Sequence, residues 1–131
     1  MGATAQGRDV VELRVPAEPA YLAVLRTATA GLAARLDFTL DEIEDLRMAV
    51  DEACAILMPD VVAGESIDCV FTLDGDVLDV SISAVTLGDH RPEQGSFGWT
   101  VLEAMAGSVE SGTVDGRAYL RLRKQRQAGP S

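Results

Sequence analysis

The sequence predicts an α+β sandwich, with helices lying on one face of a sheet, in the order strand, helix, helix, strand, strand, helix, strand, strand. Three observations carry this expectation. Several short stretches alternate apolar and polar residues, two longer stretches repeat apolar residues at three- and four-residue steps, and two Asp-Gly pairs separate alternating runs where hairpins would turn.

Val11, Leu13 and Val15 alternate with Glu12 and Arg14, the period of a half-buried strand, and Pro16 ends it. From about Pro19 to Leu36 the residues Leu22, Leu25, Leu32 and Leu36, with Thr29 between them, recur at helical spacing. Thr39-Leu40-Asp41-Glu42 reads as a capping box, in which the Thr39 hydroxyl accepts from the Glu42 amide and the Glu42 carboxylate accepts from the Thr39 amide. A second helix therefore begins at Leu40. Ile43, Leu46, Val50, Ala53 and Leu57 form its inner stripe, and Pro59 marks its stop.

Beside that stripe runs another at the same spacing: Asp45, Ala49, Glu52 and Ile56. Next, Ile67, Cys69, Phe71 and Leu73 alternate outward to Asp74-Gly75, and Leu78, Val80, Ile82 and Ala84 alternate back, predicting a hairpin. Val85 to Gln94, with Gly88, Asp89, His90 and Pro92, has no period and reads as a loop or lid. Gly95-Ser96-Phe97-Gly98 leads into a short helix from Trp99 to Ala106, with Trp99, Leu102 and Met105 inward and Gly107 as its stop. Two closing strands, around Val109 to Thr113 and Ala118 to Arg123, join across Asp115-Gly116. One domain over residues 10–124, between a flexible N-terminus (1–9) and a flexible tail (125–131), is the organisation expected.

Charge narrows the function classes. The 131 residues carry a formal net charge of −10; all 21 acidic residues precede position 116, and five of the 11 basic ones follow it. Such a body repels nucleic-acid phosphates and steers toward basic protein surfaces, so direct nucleic-acid binding is not expected. The plainer reading, a charge that only keeps the protein in solution, stays open. No apolar run is long enough for a membrane span, and no basic-then-apolar leader is present. Cys54 and Cys69 sit inside apolar patterns without ligand spacing, so a cytoplasmic location with both thiols reduced is the expectation. No metal site is expected.

The opening VELRVPAEPAYLAVLRTATAGL, the helix LDEIEDLRMAVDEAC and the segment GSFGWTVLEAMAGSVE, in this order, resemble the bacterial anti-sigma factor and serine-protein kinase family, and its actinobacterial members most. The resemblance implies the histidine-kinase-like ATPase fold, a sandwich with a mixed, mostly antiparallel sheet. It also implies a switch in stress or sporulation transcription. In that family a Glu-Ala-x-x-Asn motif on the second helix supplies a general base toward a serine hydroxyl and an oxygen ligand for Mg²⁺.

Here Glu52-Ala53 matches that motif, but Ile56 stands where the Asn would be. Hydrocarbon cannot ligate an ion that demands six oxygens in tight octahedral geometry. The family's Asp-x-Gly-x-Gly, whose carboxylate reads adenine, falls on Ser83-Ala84-Val85-Thr86-Leu87-Gly88, which has no carboxylate. The glycine-rich phosphate loop falls on Gly95 to Gly98, with glycines one residue too far apart and Phe97 inserted. The expectation is a degenerate nucleotide site at Ile56, Gly95 and Gly98, a vestigial general base at Glu52, and no cofactor, ATP and Mg²⁺ being disfavoured. As plainer readings, Glu52 is a solvated helix residue and Ile56 is packing.

For partners, the resemblance implies that the first helix and nearby loops hold an alternative sigma factor. The same surface would meet an anti-anti-sigma antagonist of the STAS-domain type. Arg26, with Tyr21 and Leu22, falls at the family's helical arginine, and Asp41, Glu44 and Asp45 form an acidic cluster that complements basic helices. A homodimer through the sheet is implied as well. The leading expectation is an anti-sigma factor that sequesters its sigma factor by binding alone. Two alternatives stay open: an ATP-dependent serine-protein kinase acting on the antagonist, and a degenerate domain that senses another small ligand.

Overall fold

The computed structural model describes residues 8–87 and 96–127. Strand β1 (Arg8–Pro16) is followed by a 3-10 turn at Pro19–Tyr21 and by helices α1 (Leu22–Arg35) and α2 (Leu40–Leu57). Then come β2 (Ser66–Asp74), β3 (Val77–Val85), α3 (Phe97–Ala106), β4 (Ser108–Val114) and β5 (Arg117–Gln125). The strands form one five-stranded sheet in the order β1-β2-β3-β5-β4. Every pairing is antiparallel, so the mixed, mostly antiparallel sheet that was expected is antiparallel throughout among the described residues.

Turn chemistry sets the register. Asp74 pairs with Val77, so Gly75 and Asp76 make the β2–β3 turn, one residue later than the Asp-Gly signal suggests. Of these two only Gly75 has positive φ (63°), the pattern of a II′ turn, which glycine adopts without steric penalty. At the β4–β5 turn both Asp115 (51°) and Gly116 (77°) have positive φ, the I′ pattern. Both primed turns match the right-handed twist of the strands they join.

All three helices cover one face of the sheet, with α2 packed between α1 and α3. The alternating residues of β2, β3 and β5 point into this core, and Phe71, Leu78, Ile82, Leu120 and Leu122 are completely buried. Truncating Phe71 to alanine would remove about 3–5 kcal/mol of stability. Thr29 is buried in the apolar stripe of α1 because its hydroxyl donates to the Leu25 carbonyl at 2.7 Å, four residues back. The capping box forms as the sequence predicts: Glu42 N donates to Thr39 Oγ1 at 3.1 Å and Thr39 N donates to Glu42 Oε1 at 2.8 Å.

Both expected boundaries move outward. β1 starts at Arg8, inside the N-terminus expected to be flexible, and Arg8 pairs with Asp74 across the strands at 3.3 Å. The tail expected to be free from residue 125 is held through 127. Gln125 ends β5, Arg126 N donates to the Asp76 carbonyl at 2.7 Å, and Gln127 N donates to Glu42 Oε2 at 2.8 Å. The start of the expected lid is also ordered: Thr86 bridges Val61, and Leu87 N donates to the Asp60 carbonyl at 2.8 Å. The rest of that loop, with Gly88 and His90, lies outside the described residues, as do residues 1–7 and 128–131.

Candidate functional site

The second stripe of α2 faces the start of α3. Ala49 is buried and Glu52 and Ile56 are half-buried, an arrangement fixed by their three- and four-residue spacing. Gly98, in the first turn of α3, lies directly against them. A Cβ at residue 98 would stand 2.8 Å from Glu52 Oε2, 3.3 Å from Ile56 Cδ1 and 3.5 Å from Ile56 Cγ1. Three residues singled out from sequence, Glu52, Ile56 and Gly98, therefore meet at one place, whereas Gly95 lies outside the described residues.

The chemistry of that meeting point is acidic and apolar. Ile56 presents methyl and methylene groups where a metal-binding site would need oxygen. The Glu52 carboxylate sits at the first turn of α3, where the positive end of the helix dipole favours an anion. The helix start is also capped from within: Ser96 Oγ accepts from Trp99 N at 3.2 Å. One of the amides that a phosphate would otherwise take up already has its acceptor. Phe97, beside the cap, is 84% exposed, so this bulky ring adds no packing within the described fold. Among the described residues no cluster of three His, Cys, Asp or Glu side chains could hold a metal ion.

Both thiols are free and buried. Burial pushes the Cys54 thiol up to about 12, and burial pushes the Cys69 thiol up as well. Neither is an available nucleophile at neutral pH.

The residues expected to meet partners lie on α1 and the N-terminal half of α2. Tyr21 is exposed in the 3-10 turn, and Leu22 is half-buried against the core. Arg26 is not a free anchor: its Nη1 donates to Asp51 Oδ1 on α2 at 2.6 Å. Asp51 had no role in the sequence reading, although its exposed position on α2, outside both stripes, was available as the signal. Glu44 pairs with Arg47 at 2.6 Å, and Asp45 pairs with Lys124 of β5 at 3.7 Å. Lys124 Nζ also donates to the Met105 carbonyl at 2.9 Å, so Asp45 helps to tie three elements together. Asp41 is exposed in the first turn of α2. No helix among the described residues is long and apolar enough to cross a membrane.

No family model matches the chain. It is 34% identical over 106 residues to the anti-sigma-F factor RsbW of Mycobacterium tuberculosis, covering 81% of this chain and 63% of that protein. Its fold matches that of the crystal structure of the RsbU and RsbW domains of a Mycobacterium tuberculosis protein, with a TM-score of 0.67 at 14% identity over 90% of this chain and 32% of the other. The chain is a homologue of the RsbW proteins. The RsbW serine-protein kinase of Bacillus licheniformis is 25% identical over 123 residues, 77% of this chain and 76% of that protein. With the RsbW serine-protein kinase of Bacillus subtilis the likeness is 50% over 46 residues, 35% of this chain and only 29% of that protein. The chain thus spans less than two thirds of several of the RsbW relatives it matches.

Proposed function

We propose that the chain is an anti-sigma factor that sequesters an alternative sigma factor in the cytoplasm without nucleotide, and that a STAS-domain antagonist releases it. The RsbW relatives named as anti-sigma factor and as serine-protein kinase support the family role. The observation that favours binding over catalysis is the close approach of Gly98 to Ile56 and Glu52. The donor set there does not suit Mg²⁺-ATP: it offers one carboxylate, a hydrocarbon side chain and a helix start already capped by Ser96. Glu52 then serves the helix dipole of α3 rather than a substrate hydroxyl.

The sigma factor would dock on α1 and the start of α2, around Tyr21, Leu22, Arg26, Asp41, Glu44 and Asp45. A second copy would pack on the open face of the sheet. What supports that placement is charge. The open face matches its arginines with carboxylates, through Arg14 and Arg117 with Asp68, Arg121 with Asp79 and Arg8 with Asp74. Two copies can approach there with little repulsion even though each carries a net charge of −10.

The kinase reading keeps one observation in its favour, the retained Glu52 in a chain whose relatives include serine-protein kinases. The deciding experiment co-expresses the protein with each alternative sigma factor of its own genome and separates complexes by size-exclusion chromatography. A parallel assay follows labelled phosphate from ATP to the antagonist. The proposal expects a sigma complex that forms without added nucleotide, and no label transfer. Label transfer at rates above a no-enzyme control, or the absence of any sigma complex, overturns it.

A further inference from the structure

The outer edge of β1 is an unfilled place in the sheet. In the order β1-β2-β3-β5-β4, β1 pairs only with β2, so its second row of backbone amides and carbonyls has no strand partner among the described residues. Grooves flank this edge on both sides. On the helix side an apolar groove of about 470 Å³ is lined by Leu13, Ala23, Val24, Thr27 and Ala28. On the open face a groove of about 530 Å³ starts at Glu12 and Arg14 and runs inward over Asp68 and Val70 of β2 to Ser83 of β3.

Charge selects what fits. The two arginines of β1 are already paired with carboxylates of β2, Arg8 with Asp74 at 3.3 Å and Arg14 with Asp68 at 2.7 Å. The two acids of β1, Asp9 and Glu12, have no ion-pair or hydrogen-bond partner among the described residues. The uncompensated charge of this edge is therefore negative. An extended segment laid along β1 would alternate its side chains between the two faces. Those on the helix side would enter the groove beneath Leu13 and Val24, and those on the open side would stand beside Glu12.

We infer that the edge of β1 binds an extended segment of a partner protein as a sixth strand, and that this segment alternates apolar with basic residues. Backbone pairing supplies the affinity, the α1-side groove takes the apolar side chains, and Glu12, on the open face, selects for lysine or arginine. The groove shares helix α1 with Arg26, but strand addition along β1 needs neither Arg26 nor Asp51, so the inference does not rest on the anti-sigma proposal.

The test titrates the full chain, labelled with ¹⁵N, with a blocked peptide of alternating lysine and valine, and follows amide shifts and amide exchange. The expected result is saturable shifts over Arg8–Pro16 and Ala23–Ala28, slowed exchange of β1 amides, and at least about tenfold weaker binding of the glutamate-for-lysine peptide. Glu12→Lys should weaken the basic peptide by a similar factor, as should Val24→Lys; Val24 is 46% exposed, so that change leaves the core intact. Thermal unfolding of both variants checks that the fold survives. Shifts confined to other surfaces, equal binding of the acidic peptide, or no saturation by the millimolar range overturn the inference. So does protection of the β1 edge in the free protein that grows with its concentration, because a second copy would then fill this place.

Discussion

Tyr119 of β5 lies over Gly112 of β4, its cross-strand partner on the open face of the sheet. A Cβ at residue 112 would stand 2.8 Å from the Tyr119 hydroxyl oxygen, 2.9 Å from Cε2 and 3.0 Å from Cζ. The glycine is there to admit the ring, because its φ is not positive and the turn does not require it. Gly112→Ala should push the ring off the sheet and lower stability by about 1–2 kcal/mol. The same change in a Tyr119→Ala background should have little effect or raise stability slightly, since alanine suits a strand better than glycine. Urea denaturation of the four proteins measures both; equal effects in the two backgrounds would disprove the contact.

Gly98→Ala drives a methyl group against Ile56 and Glu52. The Glu52 tip can swing away, whereas Ile56 is held by packing, so a loss of about 1–2 kcal/mol is expected, reduced by Ile56→Ala in the double variant. Ile56→Asn alone should restore no phosphotransfer to the antagonist, because Ser96 still caps α3 and no carboxylate lies between Ser83 and Leu87. Label transfer by that single variant would show that the α3 start can still hold a triphosphate.

The capping box makes a pH-dependent prediction. Burial pushes the Glu42 carboxyl up, but the amides of Thr39 and Gln127, the Thr39 hydroxyl and the charge of Lys124 together outweigh it and hold the group below its ordinary value. A carboxyl depressed in the folded state contributes stability that is complete above its ordinary value of 4.5 and is lost as pH falls through the folded value. Glu42→Gln should therefore destabilise the protein clearly near pH 7 and progressively less as the pH is lowered through and below that range. Thr39→Ala should remove about 1 kcal/mol at neutral pH. Denaturant midpoints measured across pH check both, and a pH-independent Glu42→Gln effect would contradict the assignment.

The Arg26–Asp51 pair is half-exposed, so each alanine variant should change stability by no more than about 1 kcal/mol. Binding should distinguish the two. If Arg26 anchors the sigma factor, Arg26→Ala weakens the complex at least about tenfold, whereas Asp51→Ala, which releases the guanidinium, does not weaken it. Affinities measured by calorimetry with the cognate sigma factor decide this, and a greater loss from Asp51→Ala would move the anchor to the acid.

The strands and helices were legible because their signals are local. Alternation in 67–73 and 78–84, the Thr39 capping box and the primed turns each follow from a few neighbouring residues. The place of β5 between β3 and β4 was not legible, since no short-range pattern encodes which strand fills the centre of a sheet. At the candidate site the sequence brought Glu52 and Ile56 together by helical spacing. The approach of Gly98 to both depends on how α3 packs on α2, and that appears only in the folded chain. The same holds for Arg26, which reads as a free charge until α2 delivers Asp51 beside it. Ser96 was legible in retrospect: a serine immediately before an apolar helical run is an N-cap signal.

The sheet register places Arg8 beside Asp74 and Gln125 beside Val77, and those two acceptor positions flank a single tight hairpin. The chain therefore enters and leaves its sheet at the same end. A module with this layout can be spliced into the loop of a host protein, or strung beside unrelated modules, without prising any strand from its neighbours. Combinations in which an RsbW domain shares one polypeptide with another domain, as in the Mycobacterium tuberculosis structure, need no more than short connecting segments at that end.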